Sequence, residues 1–375
     1  MKHRSSCAVV ITLGAIGLLT RCAPGGEELG ARAVSVPVWE TDNPILLVPS
    51  SPLGIEFKLT DLPEPPTPER VRLGRWLFYD KRLSADGTIA CASCHRPEHA
   101  FSEPTPTSTG IRGQKGGRKA PSFVNQAWTV YPNFFWDGRA KSLEEQALGP
   151  MANPIEMGYT HEAIVQGLET NGYAPYFKQA FGTEEITAPR MAKAIADYER
   201  TRLSGNSPWD RWKRRGDESV VDARVKKGDE LFFGKAGCNQ CHFGQNFTDS
   251  TFHNLGVGWD SRTRTFKDEG RFAVTKAEND RGAFKTPTLR DVSVHAPYMH
   301  DGSVPTLRAV VEIYNQGGIS NQHLDPKIKP LGLTDGEIDA LVKFMEALKG
   351  EGHLDKAPSS FPNAAKPAGA PREGS

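Results

Sequence analysis

Cys91-Ala92-Ser93-Cys94-His95 and Cys238-Asn239-Gln240-Cys241-His242 each spell C-x-x-C-H, the signature of covalent c-type haem attachment. The spacing has a chemical reason. Two cysteines three residues apart fall on one side of a turn and can form thioethers to the haem vinyl groups, and the adjacent histidine can reach the iron. A zinc site or a thioredoxin-like dithiol would leave the following histidine unexplained in both copies. Cys91, Cys94, Cys238 and Cys241 are therefore expected to hold two covalent c-type haems, with His95 and His242 as proximal ligands.

The other two cysteines, Cys7 and Cys22, lie in a leader. Lys2, His3 and Arg4 precede an apolar run from Ala8 to Leu19, which reads as a bacterial export signal over residues 1–22. Export suits covalent haem, which matures outside the bacterial cytoplasm, and the periplasm is the expected location. Leu18-Leu19-Thr20-Arg21-Cys22 also resembles a lipoprotein box, so a lipid on Cys22 could tether the chain to a membrane. Arg21 stands where such boxes carry a small residue. No later segment reaches the roughly 20 apolar residues of a membrane span.

The chain has 375 residues, with 46 Lys and Arg against 45 Asp and Glu, a net charge of +1. There is no global basic field to attract nucleic acid. The 37 glycines and 28 prolines imply long irregular loops rather than a tight bundle. Residues 23–68 read as an extended, Pro-rich lead-in, and 351–375, without apolar periodicity, as a disordered tail.

Between these ends the chain repeats itself. Gly74, Leu77 and Phe78 before the first haem motif match Gly228, Leu231 and Phe232 before the second. Ala120-Pro121-Ser122-Phe123 matches Thr286-Pro287-Thr288-Leu289, and Asp137-Gly138 with Ser142-Leu143 matches Asp301-Gly302 with Thr306-Leu307. Met191, Ala194, Ile195 and Tyr198 share one helical face, as do Ile338, Leu341, Val342, Met345 and Leu348. Ser142 with Glu145 and Thr334 with Glu337 have capping-box spacing, and Gly350 is placed to end the last helix. The expected fold is mainly α: two cytochrome c-like domains, 69–212 and 213–350, each with one covalent c-type haem, long loops and little strand beyond a short hairpin.

Residues 69 to 349 resemble the bacterial di-haem cytochrome c peroxidase and MauG family. The resemblance rests on Leu73-Gly74-Arg75-Trp76-Leu77-Phe78, both haem motifs, Phe135-Trp136-Asp137-Gly138-Arg139-Ala140, the stretch from Gln146 to Glu156, and Ala296-Pro297-Tyr298-Met299-His300-Asp301-Gly302. It implies that the N-terminal haem is peroxidatic and that the C-terminal one passes electrons. It also makes Glu156 the distal acid/base, Gln146 its hydrogen-bonding partner and Trp136 the aromatic relay between the haems. One carboxyl group can carry out both proton transfers that peroxide cleavage needs. By itself, Trp136 also reads as an ordinary core aromatic.

Several positions depart from that pattern. Arg112 stands at about the place where many such peroxidases carry a histidine that blocks the peroxidatic iron until the other haem is reduced. A guanidinium does not readily ligate iron, so this haem is expected to be open at rest. Lys119 replaces an asparagine that in the family helps bind calcium between the domains, which puts a calcium ion in question although backbone oxygens near Thr286 remain. For the second ligand of the haem at His242 the choice is open. Met299 offers a thioether, while Tyr314 aligns with the tyrosine ligand of MauG and the methionine of several peroxidases.

The resemblance thus implies a peroxidase that reduces hydrogen peroxide to water with electrons from a small donor protein, a cytochrome c or a cupredoxin. Two alternatives stand beside it: a MauG-like enzyme that oxidatively modifies a partner protein, and a non-catalytic di-haem electron carrier. Family members are often homodimers.

Overall fold

The computed structural model describes residues 36–128 and 133–363, so the leader, Cys22 and the final residues 364–375 lie outside the described part. The chain divides into two units, Met1–Pro37 and Val38–Ser375, and the architecture below belongs to the second. Its helices are α1 (Val38–Asp42), α2 (Pro68–Tyr79), α3 (Cys91–Cys94), α4 (Leu143–Ala152), α5 (His161–Thr170) and α6 (Ala174–Phe181). They continue with α7 (Ala188–Arg200), α8 (Pro208–Arg215), α9 (Ala223–Phe233), α10 (Phe272–Thr275), α11 (Leu307–Asn315) and α12 (Asp335–Glu346). Among the described residues, strand is confined to two antiparallel pairs. β2 (Trp259–Asp260) and β3 (Thr265–Phe266) form a short hairpin, and β1 (Phe252–His253) pairs with β4 (Phe284–Lys285). Among the described residues no helix is long and apolar enough to cross a membrane.

Two hydrophobic cores form, one from residues between Leu73 and Tyr198, the other from residues between Leu231 and Leu348. Each is organised by one close helix crossing, α2 on α7 and α9 on α12. The repeat seen in the sequence has its physical basis here. A methyl group on Gly74 would lie 1.8 Å from the Ala194 carbonyl oxygen, and one on Gly228 would lie 2.0 Å from that of Ala340. Only a residue without Cβ lets either pair of backbones approach so closely. The expected helical faces are buried, with Met191, Ala194, Ile195 and Tyr198 in the first core and Ile338, Leu341, Met345 and Leu348 in the second, while Val342 is half-buried against it.

Capping follows the side-chain chemistry. Thr334 and Glu337 form a reciprocal box at the start of α12. At α4, Ser142 accepts from the Glu145 N–H as expected, but the Glu145 carboxylate bonds the N–H of Lys141 instead. Gly350 is not the helix stop, because α12 ends at Glu346 with Ala347 as its cap. Gly350 is needed instead for a close approach to Ser204, whose Oγ would lie 2.3 Å from an added Cβ.

The segment 351–363 corrects the reading of a disordered tail that begins at 351. Asp355 accepts from Arg75 Nε at 2.8 Å and from the Tyr198 hydroxyl at 2.7 Å, the Pro362 carbonyl accepts from Arg82, and His353 is buried. Polar anchors hold this segment on the first core, and hydrophobic periodicity does not register them. In the lead-in, Ile55 and Leu59 are buried and Trp39 donates to the Tyr176 hydroxyl, so part of that stretch packs as well.

Candidate haem centres and the cavity between the lobes

The four cysteines of the two motifs are unpaired. Cys91 and Cys94 bracket the single-turn helix α3, which starts where the Ser93 hydroxyl accepts from the Ala90 N–H. His95 follows immediately. Its Nδ1 bonds the Phe101 carbonyl at 2.8 Å, and in the second lobe His242 Nδ1 bonds the Phe247 carbonyl at 2.9 Å. A carbonyl can only accept, so in both rings the proton sits on Nδ1 and Nε2 keeps its lone pair for a metal. Burial pushes the Cys91 thiol up to about 12 and the Cys94 thiol to about 11, with Glu199 and Glu103 respectively adding to it. Burial likewise raises Cys238 to about 12. Thiols held protonated are poor zinc ligands or redox nucleophiles. Unpaired cysteine pairs beside an imidazole with a free Nε2 fit covalent haem in both lobes.

A cavity of about 590 Å³ opens beside the first motif. It brings together Cys91, Cys94, His95, Trp136, Gln146 and Glu156, residues up to 65 positions apart in the chain. Phe123, Leu143 and Ala147 supply apolar wall, and Thr286, Pro287 and Thr288 close it from the second lobe. Gln146 and Glu156 come from α4 and the turn after it. That turn is tied down by Ile111, whose N–H donates to the Glu156 carbonyl at 2.9 Å. Glu156 is half-buried; loss of water pushes its carboxyl pKa up, partly opposed by the Arg139 charge and by Asn153. Raising the pKa of a carboxyl toward neutrality suits it to exchange protons.

Trp136 sits where the lobes meet. Its indole N–H donates to the Lys119 carbonyl at 2.8 Å, and its own carbonyl accepts from the Lys285 N–H at 2.8 Å. Arg112 is placed elsewhere. It lies on an exposed turn with a left-handed φ of 55°, its N–H on Asp86, and it does not line the cavity.

Sequence reading did not identify several wall residues. Glu199 is buried with one carboxyl oxygen lacking a hydrogen-bond partner, and burial raises its pKa to about 8. Lys285 reaches the wall with its ammonium 5.4 Å from the Phe134 ring centre, and burial lowers its pKa to about 8. Arg118 bridges Asp137 and Asp268. Of these, Glu199 lies on a recognisable helix; the others come together only through tertiary folding.

In the second lobe, Tyr314 lies near enough to Cys238 and Cys241 that both thiols join burial in raising its phenol pKa. Met299, at a positive φ of 73°, sits in a loop closed by the Tyr298–Val304 bridge, the counterpart of the Phe134–Ala140 bridge around Phe135. Phe135 and Pro150, the repeat equivalents of Met299 and Tyr314, both line the first cavity. Cys241, Asp249 and His253 form the one Cys/Asp/His group among the described residues with ligand atoms within 4.8 Å. His253 is held between Asp249 at 2.8 Å and Asp325 at 2.6 Å, and Asp249 above all lifts its pKa to about 10. An imidazolium with both nitrogens protonated has no lone pair for a metal.

A family model described as di-haem cytochrome c peroxidase matches residues 68–219. The chain is 42% identical over 289 residues to the methylamine utilization protein MauG of Methylorubrum extorquens, covering 76% of this chain and 80% of that one. It is 36% identical over 288 residues to the cytochrome c551 peroxidase of Nitrosomonas europaea, covering 76% and 82%. Among solved structures it is similar to a MauG-like protein associated with microbial copper homeostasis, with a TM-score of 0.72 and 30% identity over 84% of this chain and 97% of that one. With haem-attachment chemistry in both lobes and these relatives, the chain belongs to the di-haem cytochrome c peroxidase and MauG family.

Proposed function

We propose that the chain is an exported di-haem peroxidase that reduces hydrogen peroxide to water with electrons from a small redox protein. Residues 69–212 form the peroxidatic haem domain and 213–350 the electron-transfer domain, each holding one haem c through its C-x-x-C-H motif. The observation that carries the reading is the convergence of Glu156, Gln146 and Trp136 on one cavity with Cys91, Cys94 and His95.

A haem held by Cys91, Cys94 and His95 would supply the iron redox chemistry of peroxide reduction. The protein's own residues do the rest. Cleaving the O–O bond requires a proton to leave one oxygen and reach the other, and Glu156, with its pKa raised by burial, carries it. The Gln146 amide orients the oxygens beside it. Trp136, hydrogen-bonded to a first-lobe carbonyl and a second-lobe N–H, bridges the path for electrons. His242 would hold the second haem, with Met299 and Tyr314, the latter beside Cys238 and Cys241, as the two candidates for its further ligand.

The proximity of Tyr314 to the second motif also favours a second reading, a MauG-like oxidation of a partner protein. Peroxide consumption by fully oxidised holoprotein with reduced cytochrome c, repeated after half-reduction, tests the proposal. Immediate turnover in both is expected, because Arg112 offers no ligand to block the iron. Turnover only after half-reduction would show that another residue closes the site. Haem oxidation by peroxide without cytochrome turnover would select the MauG-like reading.

A further inference from the structure

The family resemblance implies calcium between the lobes, and the residues here do not fit it. Lys119 is buried, 4% exposed, and makes no ion pair among those found in the described residues. Its ammonium donates to the Glu103 backbone carbonyl and reaches the Thr105 carbonyl at 3.5 Å. Backbone carbonyls turned inward are the ligands a hard cation takes, and here an ammonium with three donors occupies them. Near Thr286, that residue's carbonyl already accepts from the Thr248 hydroxyl at 2.7 Å. The backbone of the same lysine holds the junction. Its N–H donates to the His300 carbonyl at 2.8 Å, tying in the loop before α11, and its carbonyl accepts from the Trp136 indole at 2.8 Å.

We propose that the Lys119 ammonium is the resident cation of the wall between the lobes, and that it positions Trp136 without calcium. A charge this deeply buried is costly, and what it answers here are the Glu103 and Thr105 carbonyls and the neighbouring Glu103 carboxylate, itself buried. Lys119 acts through the 103–119 loop, as a positioning residue for the indole. The inference rests on Trp136 being the relay between the haems.

The test uses the full-length holoenzyme. After dialysis against EGTA, elemental analysis should find less than one calcium per ten chains, with haem spectra and the rate of electron redistribution between the haems unchanged. Lys119→Met should keep both haems, while that redistribution slows about tenfold through a misplaced indole. A tightly held calcium whose removal changes the haem spectra would overturn the proposal, as would Lys119→Met redistributing electrons at the parent rate. Should that variant not fold, the calcium content of the parent still decides. Trp136→Phe separates the underlying reading: if it leaves redistribution unchanged the relay assignment fails, while the calcium measurement still reports on Lys119.

Discussion

Lys285 in the second lobe donates its backbone N–H to the carbonyl of Trp136 at 2.8 Å, so the aromatic residue beside the first haem motif is held by both lobes. Trp136→Phe removes one indole hydrogen bond, a loss of about 1 kcal/mol. Denaturation should register little more than that. Electron redistribution between the haems, followed by rapid spectroscopy after half-reduction, should slow clearly. Redistribution at the parent rate would reduce Trp136 to a packing residue.

Arg290 and Asp210 form a salt bridge inaccessible to solvent, with Nη2 to Oδ1 at 3.0 Å, where α8 packs through Trp209 on the second core. The Arg290 guanidinium also bonds the carbonyls of Gln245 and Gly54. Breaking a buried pair by removing one partner costs about 3–5 kcal/mol. Arg290→Met should lower unfolding free energy by that amount, measured by denaturant titration of the holoprotein, with haem attachment retained.

Glu199 makes stability depend on pH. Its folded pKa of about 8 lies above the ordinary carboxyl value of 4.5, so between those values the folded chain holds a proton that the unfolded chain has lost. The favourable contribution is fully present below pH 4.5 and is lost as pH rises through 8. Glu199→Gln stays neutral throughout. At pH 8 it should be more stable than the parent by roughly 3–5 kcal/mol, with little difference at pH 4, by denaturant titration at both values.

Gly110 packs on the turn that carries the proposed acid. A methyl group there would lie 2.0 Å from the Ile155 carbonyl oxygen and 2.7 Å from Glu156 Cα. Gly110→Ala must therefore displace Glu156, and a misplacement of about 1 Å can cost up to roughly 100-fold in rate. Peroxide turnover should fall by tenfold or more while both haems remain attached by absorption spectroscopy.

The haem motifs were legible because the chemistry is local: five consecutive residues hold both thioether-forming cysteines and the candidate ligand. The core helices were legible through the spacing of Met191 to Tyr198 and of Ile338 to Leu348, and the duplication through Gly74 and Gly228. The cavity wall was not, because Lys119, Glu199 and Lys285 come from distant segments and each alone reads as an ordinary polar residue. The order of segment 351–363 was illegible for a related reason: Asp355 holds it by hydrogen bonds from Arg75 and Tyr198, which leave no periodic trace. Arg112 matches the family pattern only by its place in the chain, and the fold puts it on an exposed turn outside the cavity wall.

Glu156 is proposed to move the proton during peroxide reduction. Glu156→Gln preserves shape and hydrogen-bonding capacity but cannot exchange a proton at neutral pH. Steady-state peroxide turnover should fall by about 10²–10⁴-fold, while haem content and resting spectra match the parent. Turnover within a few-fold of the parent would contradict the account and move the acid/base role to another group.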